Sequence, residues 1–184
     1  VKAKDKKMNS LLYVIVDTSG SMGVMGKIHI QKRLCRCINQ IRLLSPEKYS
    51  ALNIQFFRWG TTVTEIDVQN NKEDFLGPIE GSSDIFVLSD FLMGLSSTPA
   101  VLLLSDGYFS NPDALDFKKL IDKQYGFVLR AVAVGSDSNI RQLKKLSSGN
   151  RVNLAEDIVM AVDSVVFQGS GTVKPPKSIN QILP

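Results

Sequence analysis

Leu11-Leu12-Tyr13-Val14-Ile15-Val16 runs directly into Asp17-Thr18-Ser19-Gly20-Ser21, and the reading of this junction decides the fold. Six apolar residues rich in β-formers, cut off by an aspartate, are the pattern of a strand covered on both faces, central in a parallel sheet. The polar loop that follows leads into a helix. Its apolar face is marked by Leu34, Ile38, Ile41 and Leu44 and ends near Ser45-Pro46.

Working outward, Leu52 to Arg58 and Thr62 to Val68 are two β-rich runs around Trp59-Gly60-Thr61, which predicts a hairpin and an antiparallel edge strand. Ile85, Leu88, Leu92 and Leu95 mark a helix from Asp84 to Leu95. Ala100-Val101-Leu102-Leu103-Leu104 is a second buried strand, ending in Ser105-Asp106-Gly107. A helix from about Asp113 to Lys123, a strand from Phe127 to Val134 and a helix from Ser138 to Leu146 follow, the last with Ser136 or Asp137 placed to cap it. Val152-Asn153-Leu154 reads as a last short strand, and Ile158, Val159, Val162, Val165 and Val166 stripe a closing helix.

Strands alternating with helices over the whole length predict an α/β fold. The expectation is a doubly wound, mostly parallel six-stranded sheet with one antiparallel edge strand and helices on both faces. Residues 1–10 read as a polar lead-in, 11–168 as the domain and 169–184 as a flexible tail or linker.

At 184 residues, with 43% hydrophobic and 22% charged composition, the chain is sized for one domain with a full core. The net charge of +4 is scattered, apart from Lys2, Lys4, Lys6 and Lys7 at one end and Lys174 and Lys177 at the other. Basic and aromatic residues do not interleave along a groove-like stretch, so the reading is of no nucleic-acid partner. No apolar stretch approaches the roughly 20 residues that cross a bilayer, and the first residues have no signal-like apolar segment, so the expectation is a soluble, unexported, cytoplasmic chain. Cys35 and Cys37 lie two apart on a predicted helix, where their side chains point to different faces. They read as reduced thiols in a reducing compartment.

In doubly wound sheets, ligands bind outside the carboxyl ends of strands where the strand order reverses. Asp17, Ser19 and Ser21 follow one apolar strand and Asp106 follows the other, which would bring carboxylates and hydroxyls to one rim. These loops offer only oxygen donors. That chemistry suits a hard cation, Mg²⁺ or Mn²⁺.

With these residues in view, Leu11 to Phe167 resembles a von Willebrand factor type A domain. Asp17, Ser19 and Ser21, with Gly20 and Met22, match the Asp-x-Ser-x-Ser motif of that family's metal-ion-dependent adhesion site. The resemblance implies that Ser19 and Ser21 bind the metal directly while Asp17 holds ligating waters. It also implies a second-loop hydroxyl. Aligning Gly81-Ser82-Ser83-Asp84 on the glycine places Ser83 there, with Ser82 as the alternative. Asp106-Gly107 matches the third element, and Ala133-Val134-Gly135-Ser136-Asp137 resembles the late strand of the family.

If neutral hydroxyls are the direct ligands, the bound cation keeps positive character and an open position for an Asp or Glu of a partner protein. The reading that follows is a non-enzymatic, metal-dependent interaction module. Its nearest likeness is to compact bacterial members associated with tellurite and stress resistance, which work in intracellular multi-protein systems. A haloacid-dehalogenase-type phosphatase is the enzyme alternative, although position 19 carries Ser where a second Asp is needed. An extracellular adhesion domain is the third. Among the remaining residues, His29 reads as surface or capping, and Trp59 and Phe57 as packing, with an exposed rim contact as the alternative. Met22 and Met25 either plug the loop onto the sheet or line a binding surface.

Overall fold

The computed structural model describes residues 10–68, 73–95, 97, 99–123 and 128–167. The polar lead-in, save Ser10, and the tail from 169 onward lie outside the described residues, as does Phe127.

Strand β1 spans Leu11–Asp17, and a 3-10 turn over Gly20–Gly23 precedes helix α1, Lys27–Leu44, and the single turn α2, Pro46–Tyr49. The hairpin is β2, Asn53–Trp59, with β3, Val63–Ile66. Next come α3, Ile85–Met93, β4, Ala100–Ser105, and α4, Asn111–Lys123. The chain closes with β5, Val128–Ala133, α5, Ile140–Leu146, β6, Val152–Leu154, and α6, Ile158–Val166.

The six strands lie in the order β3-β2-β1-β4-β5-β6. All neighbours are parallel except β2 and β3, so the expected antiparallel edge is present. The chain builds leftward from β1 through β2 to β3, then crosses to β4 and builds the other way. The reversal between β1 and β4 opens a crevice at their carboxyl ends.

Alternation along the strands divides the core between two faces. Leu12, Val14 and Val16 pack with Leu102, Leu104 and Val132 against α1 and α6. Ile15, Val101, Leu103 and Leu129 pack against α3 and α4 on the opposite side. Every residue of β4 is buried, which is why its sequence is apolar without alternation.

The predicted helix stripe needs correction at both ends. Leu44 is 75% exposed, because ten residues at about 100° each rotate it off the face that Leu34 and Ile38 define. Toward the start, the buried face continues instead into two polar residues, Lys27 and Gln31. The cap of α5 also differs from expectation: Asn139, rather than Ser136 or Asp137, accepts the Gln142 N–H, since the turn after β5 runs two residues further before the helix begins. The edge strand β3 is shorter than the run Thr62 to Val68 because only Val63–Ile66 pairs with β2.

Cys35 is buried and Cys37 exposed, and both are free thiols. His29 is exposed within α1, and Gly26 occupies the cap position, so His29 is a surface residue. Among the described residues no helix is long and apolar enough to cross a membrane.

Candidate metal centre

The register of β1 with β4 pairs Val16 with Leu104, so the next residues, Asp17 and Ser105, meet at the crevice. Asp17 is fully buried. Its Oδ2 accepts the Ser105 hydroxyl at 2.6 Å, while Oδ1 accepts the Ser19 N–H at 2.9 Å and the Ser83 hydroxyl at 2.7 Å. Burial pushes the Asp17 carboxyl above its ordinary value, and the hydrogen bonds from Ser105, Ser19 and Ser83 pull it back toward the charged form.

The hydroxyls of Ser19 and Ser21 lie 3.2 Å apart, and Ser21 donates to Asp106 Oδ1 at 3.2 Å. All five residues predicted from sequence therefore fall into one cluster from three loops. The second-loop alternative is also separated by geometry, since Ser83 reaches Asp17 whereas Ser82 is exposed.

Backbone bonds hold these loops in register. The Thr18 N–H donates to Trp59 O at 2.8 Å, Gly20 N–H to Gly81 O at 3.0 Å, and Glu80 N–H to Thr18 O at 3.0 Å. Trp59 is fully buried, and its indole N–H donates to Asp84 O at 2.7 Å. It is thus the packing residue expected, and it braces two arms of the site at once. Asp84 in turn caps α3 by accepting the Phe86 and Val87 N–H groups. Met22 is buried and plugs the first loop, whereas Met25 is 70% exposed with a left-handed backbone, φ 55°. Met22 thus takes the plugging role, and Met25 is not part of that plug.

Past Asp106 the chain turns through Gly107 at φ +80°, and a Cβ there would lie 2.7 Å from Asn139 O. Only glycine fits this turn without strain. The close approach lets Asn139 N–H reach Asp106 O at 2.7 Å, tying the third arm to the start of α5.

Four contributors were not singled out from sequence as site residues. Ser105 stands beside a predicted ligand, but its inward direction depends on strand register. Gln31 Nε2 donates to Asp17 O and Leu104 O, bridging the ends of the two central strands. Lys27 is 1% exposed and ion-pairs with Asp106 at 2.7 Å and Asp137 at 2.8 Å. Burial alone would lower the Lys27 ammonium, but its bonds to Asp106 and Asp137 outweigh that and hold it above its ordinary value. The same contact with Lys27 holds the Asp137 carboxyl below its own. A signal existed for Lys27 and Gln31: they continue the stripe of Leu34 and Ile38 backward at helical spacing.

The donor set is hydroxyl and carboxylate oxygen throughout, which fits a hard divalent cation. Among the described residues no three His, Cys, Asp or Glu side chains group to hold a metal. The serines are therefore needed to complete such a site.

The arrangement defines a class, a doubly wound α/β domain with an oxygen-lined site at its switch point. No family model and no curated protein sequence matches the chain. Solved structures do. The manganese-loaded TRAP protein of Plasmodium vivax matches at TM-score 0.62 and 17% identity, over 87% of this chain and 75% of that one. Proximal thread matrix protein 1 of the mussel byssus, in a form with a zinc-occupied adhesion-site motif, matches at 0.56 and 14%, over 89% and 48%. The SpRpn10 VWA domain matches at 0.51 and 12%, over 89% and 99%. The chain has the von Willebrand factor type A fold, and it spans about half the length of the mussel protein it matches.

Proposed function

We propose that this domain is a non-catalytic, metal-dependent protein-binding module. Ser19 and Ser21 hold Mg²⁺ or Mn²⁺ directly, with Ser83 as the second-loop donor and Asp17 and Asp106 as the charged supports. The carrying observation is the convergence of these five residues from three loops into one hydrogen-bonded oxygen cluster. A divalent cation bound there supplies an electrophilic position for an Asp or Glu of a partner. The hydroxyls and the buried carboxylates orient that position and need perform no bond-breaking step. Structural neighbours described as manganese-loaded and zinc-occupied support the metal reading.

The test is thermal unfolding with Mg²⁺, Mn²⁺ or chelator. Native-state binding at a hundred times the dissociation constant stabilises by about 2.7 kcal/mol, so the midpoint is expected to rise with metal. Asp17→Ala and Ser19→Ala are expected to abolish the rise and chelator-sensitive partner capture together. No metal-dependent shift at millimolar metal, with partner capture intact in both variants, overturns the reading.

A phosphatase of the haloacid-dehalogenase type fits this geometry poorly. Asp17 is sealed from solvent with both oxygens engaged, so it is not presented as a nucleophile. For the compartment, we propose an intracellular multi-protein system of the stress-resistance kind, supported by the free thiols of Cys35 and Cys37. The extracellular alternative has support of its own, because a byssal thread matrix protein and a pilus adhesin share the fold. Cell fractionation decides between them, with recovery in the cytosol expected.

A further inference from the structure

We propose that Lys27 is a specificity-determining residue of the metal centre, a built-in cation that weakens metal binding and leaves the loaded site positive toward a partner carboxylate. The inference rests on the metal reading above and adds to it a residue outside the adhesion-site motif.

The geometry divides Asp106 between two tasks. Its Oδ1 faces the hydroxyl of Ser21 and the N–H of Tyr108, while its Oδ2 is taken by the Lys27 ammonium at 2.7 Å. One carboxylate thus faces the serines on one side and a fixed positive charge on the other. It cannot offer both oxygens to a metal without breaking a buried ion pair.

Lys27 has little freedom to leave. A Cβ at Gly135 would lie 3.0 Å from both Cγ and Cδ of Lys27, so the glycine backbone is packed flat against its stem. The Tyr108 ring stands 5.5 Å from Nζ, and Asp137 holds the far side of the ammonium at 2.8 Å. Three segments, the first turn of α1, the loop after β4 and the loop after β5, therefore position one charge.

Charge counting gives the consequence. Asp17 and Asp106 together match the charge of a divalent ion, which reduces the attraction that the cation behind its neutral hydroxyl ligands keeps for an incoming carboxylate. With Lys27 and Asp137 both counted the net charge is again zero. The ammonium contacts Asp106 directly while Asp137 lies on its far side, so the positive charge stands nearer the serines and metal affinity falls by repulsion between the two cations. Asp137 lies beyond Lys27 with its side chain 29% exposed, so it tempers that charge without reaching the serines.

Two variants separate this role from simple packing, because they change metal affinity in opposite directions. Lys27→Met keeps the stem and removes the charge, and the Mn²⁺ dissociation constant is expected to fall about tenfold. Asp137→Asn leaves Lys27 less compensated, and the constant is expected to rise about threefold. Both are read by calorimetric titration with Mn²⁺ and by the fluorescence of Trp59, the only tryptophan in the chain. A purely structural Lys27 would lower the unfolding midpoint in chelator and leave these opposed shifts absent. If Lys27→Met fails to fold, weaker binding by Asp137→Asn still supports the inference, and unchanged or tighter binding overturns it. Wild-type binding with the same affinity in both variants overturns this inference alone. Failure of all three proteins to bind Mn²⁺ overturns the metal reading and this inference with it.

Discussion

Asp17 shows how much one residue can depend on neighbours far along the chain. Its charge is fully buried and is tolerable only because Ser19, Ser83 and Ser105 direct donors at both oxygens. Ser105 also accepts the Gly107 N–H at 3.0 Å, so one hydroxyl ties the aspartate of the first arm to the turn of the third. Ser105→Ala removes that hydroxyl without changing the strand. The expected loss is about 1–3 kcal/mol of unfolding free energy, because a buried carboxylate and a buried N–H each lose a partner. A urea titration measures it, and a loss near zero contradicts the bracing role. Cys35 is a contrasting case in which burial pushes the thiol up to about 12, leaving it an inert core residue.

Among the elements, α1 explains best why sequence reading reached the core before it reached the site. Leu34, Ile38 and Ile41 are apolar and announce their face, but the same face at the crevice end is built of Lys27 and Gln31. Helical spacing places Lys27 and Gln31 on that face, but burial of a polar residue there depends on partners from β1, β4 and the β5 loop that the periodicity does not name. A second polar contact fastens α2 to α6. The Lys48 ammonium and the Tyr49 hydroxyl both donate to Asp163, each at 2.6 Å, and Phe167 stands 5.9 Å from the Tyr49 ring. The bond to Asp163 raises the Lys48 ammonium above its ordinary 10.5, and burial raises the Tyr49 hydroxyl above its ordinary 10.0. For both groups the folded state holds its proton more tightly than the unfolded chain. Their stabilisation is therefore complete below about pH 10 and lost as pH rises through the folded values. In a thermal series above pH 10, the midpoint of wild-type protein is expected to fall more steeply than that of Asp163→Asn. Parallel curves would show that this contact contributes nothing to the alkaline loss.

For the whole molecule, one sheet separates the two larger apolar clusters and belongs to both, since alternate residues of β1 and β4 enter each, and a small third cluster of Ala131, Ala133 and Leu143 lies under α5. Neither of the larger clusters can be lost while the other keeps its strands in place. Trp59 reports from the α3 and α4 side, whereas far-UV circular dichroism reports on all the helices, including α1 and α6. In urea with chelator the two signals are expected to give one coincident transition. Separate midpoints would mean that the two sides unfold independently. The same layout explains why the site draws on segments distant from one another along the chain. Its arms at residues 17–21, 83 and 105–106 meet only when the β1 and β4 ends lie side by side, and Ser83 arrives through a loop stitched to the first by Gly20 and Gly81.

The sequence by itself determined the element order and the mostly parallel sheet with its antiparallel edge, and it set Asp17, Ser19, Ser21 and Asp106 in the loops after two apolar strands. Local physics is enough for these: uninterrupted apolar runs specify central strands, and short polar motifs at strand ends specify loops. Only the tertiary structure brought Ser83 rather than Ser82 to Asp17, placed Trp59 as a brace, and moved the α5 cap to Asn139. It alone brought Lys27 and Asp137 to Asp106. Those outcomes depend on register, on backbone approaches such as those at Gly107 and Gly135, and on pairing between charges distant in sequence. A linear pattern can show that Asp17 opens a site; what balances that site's charge is set by which side chains the fold leaves facing one another.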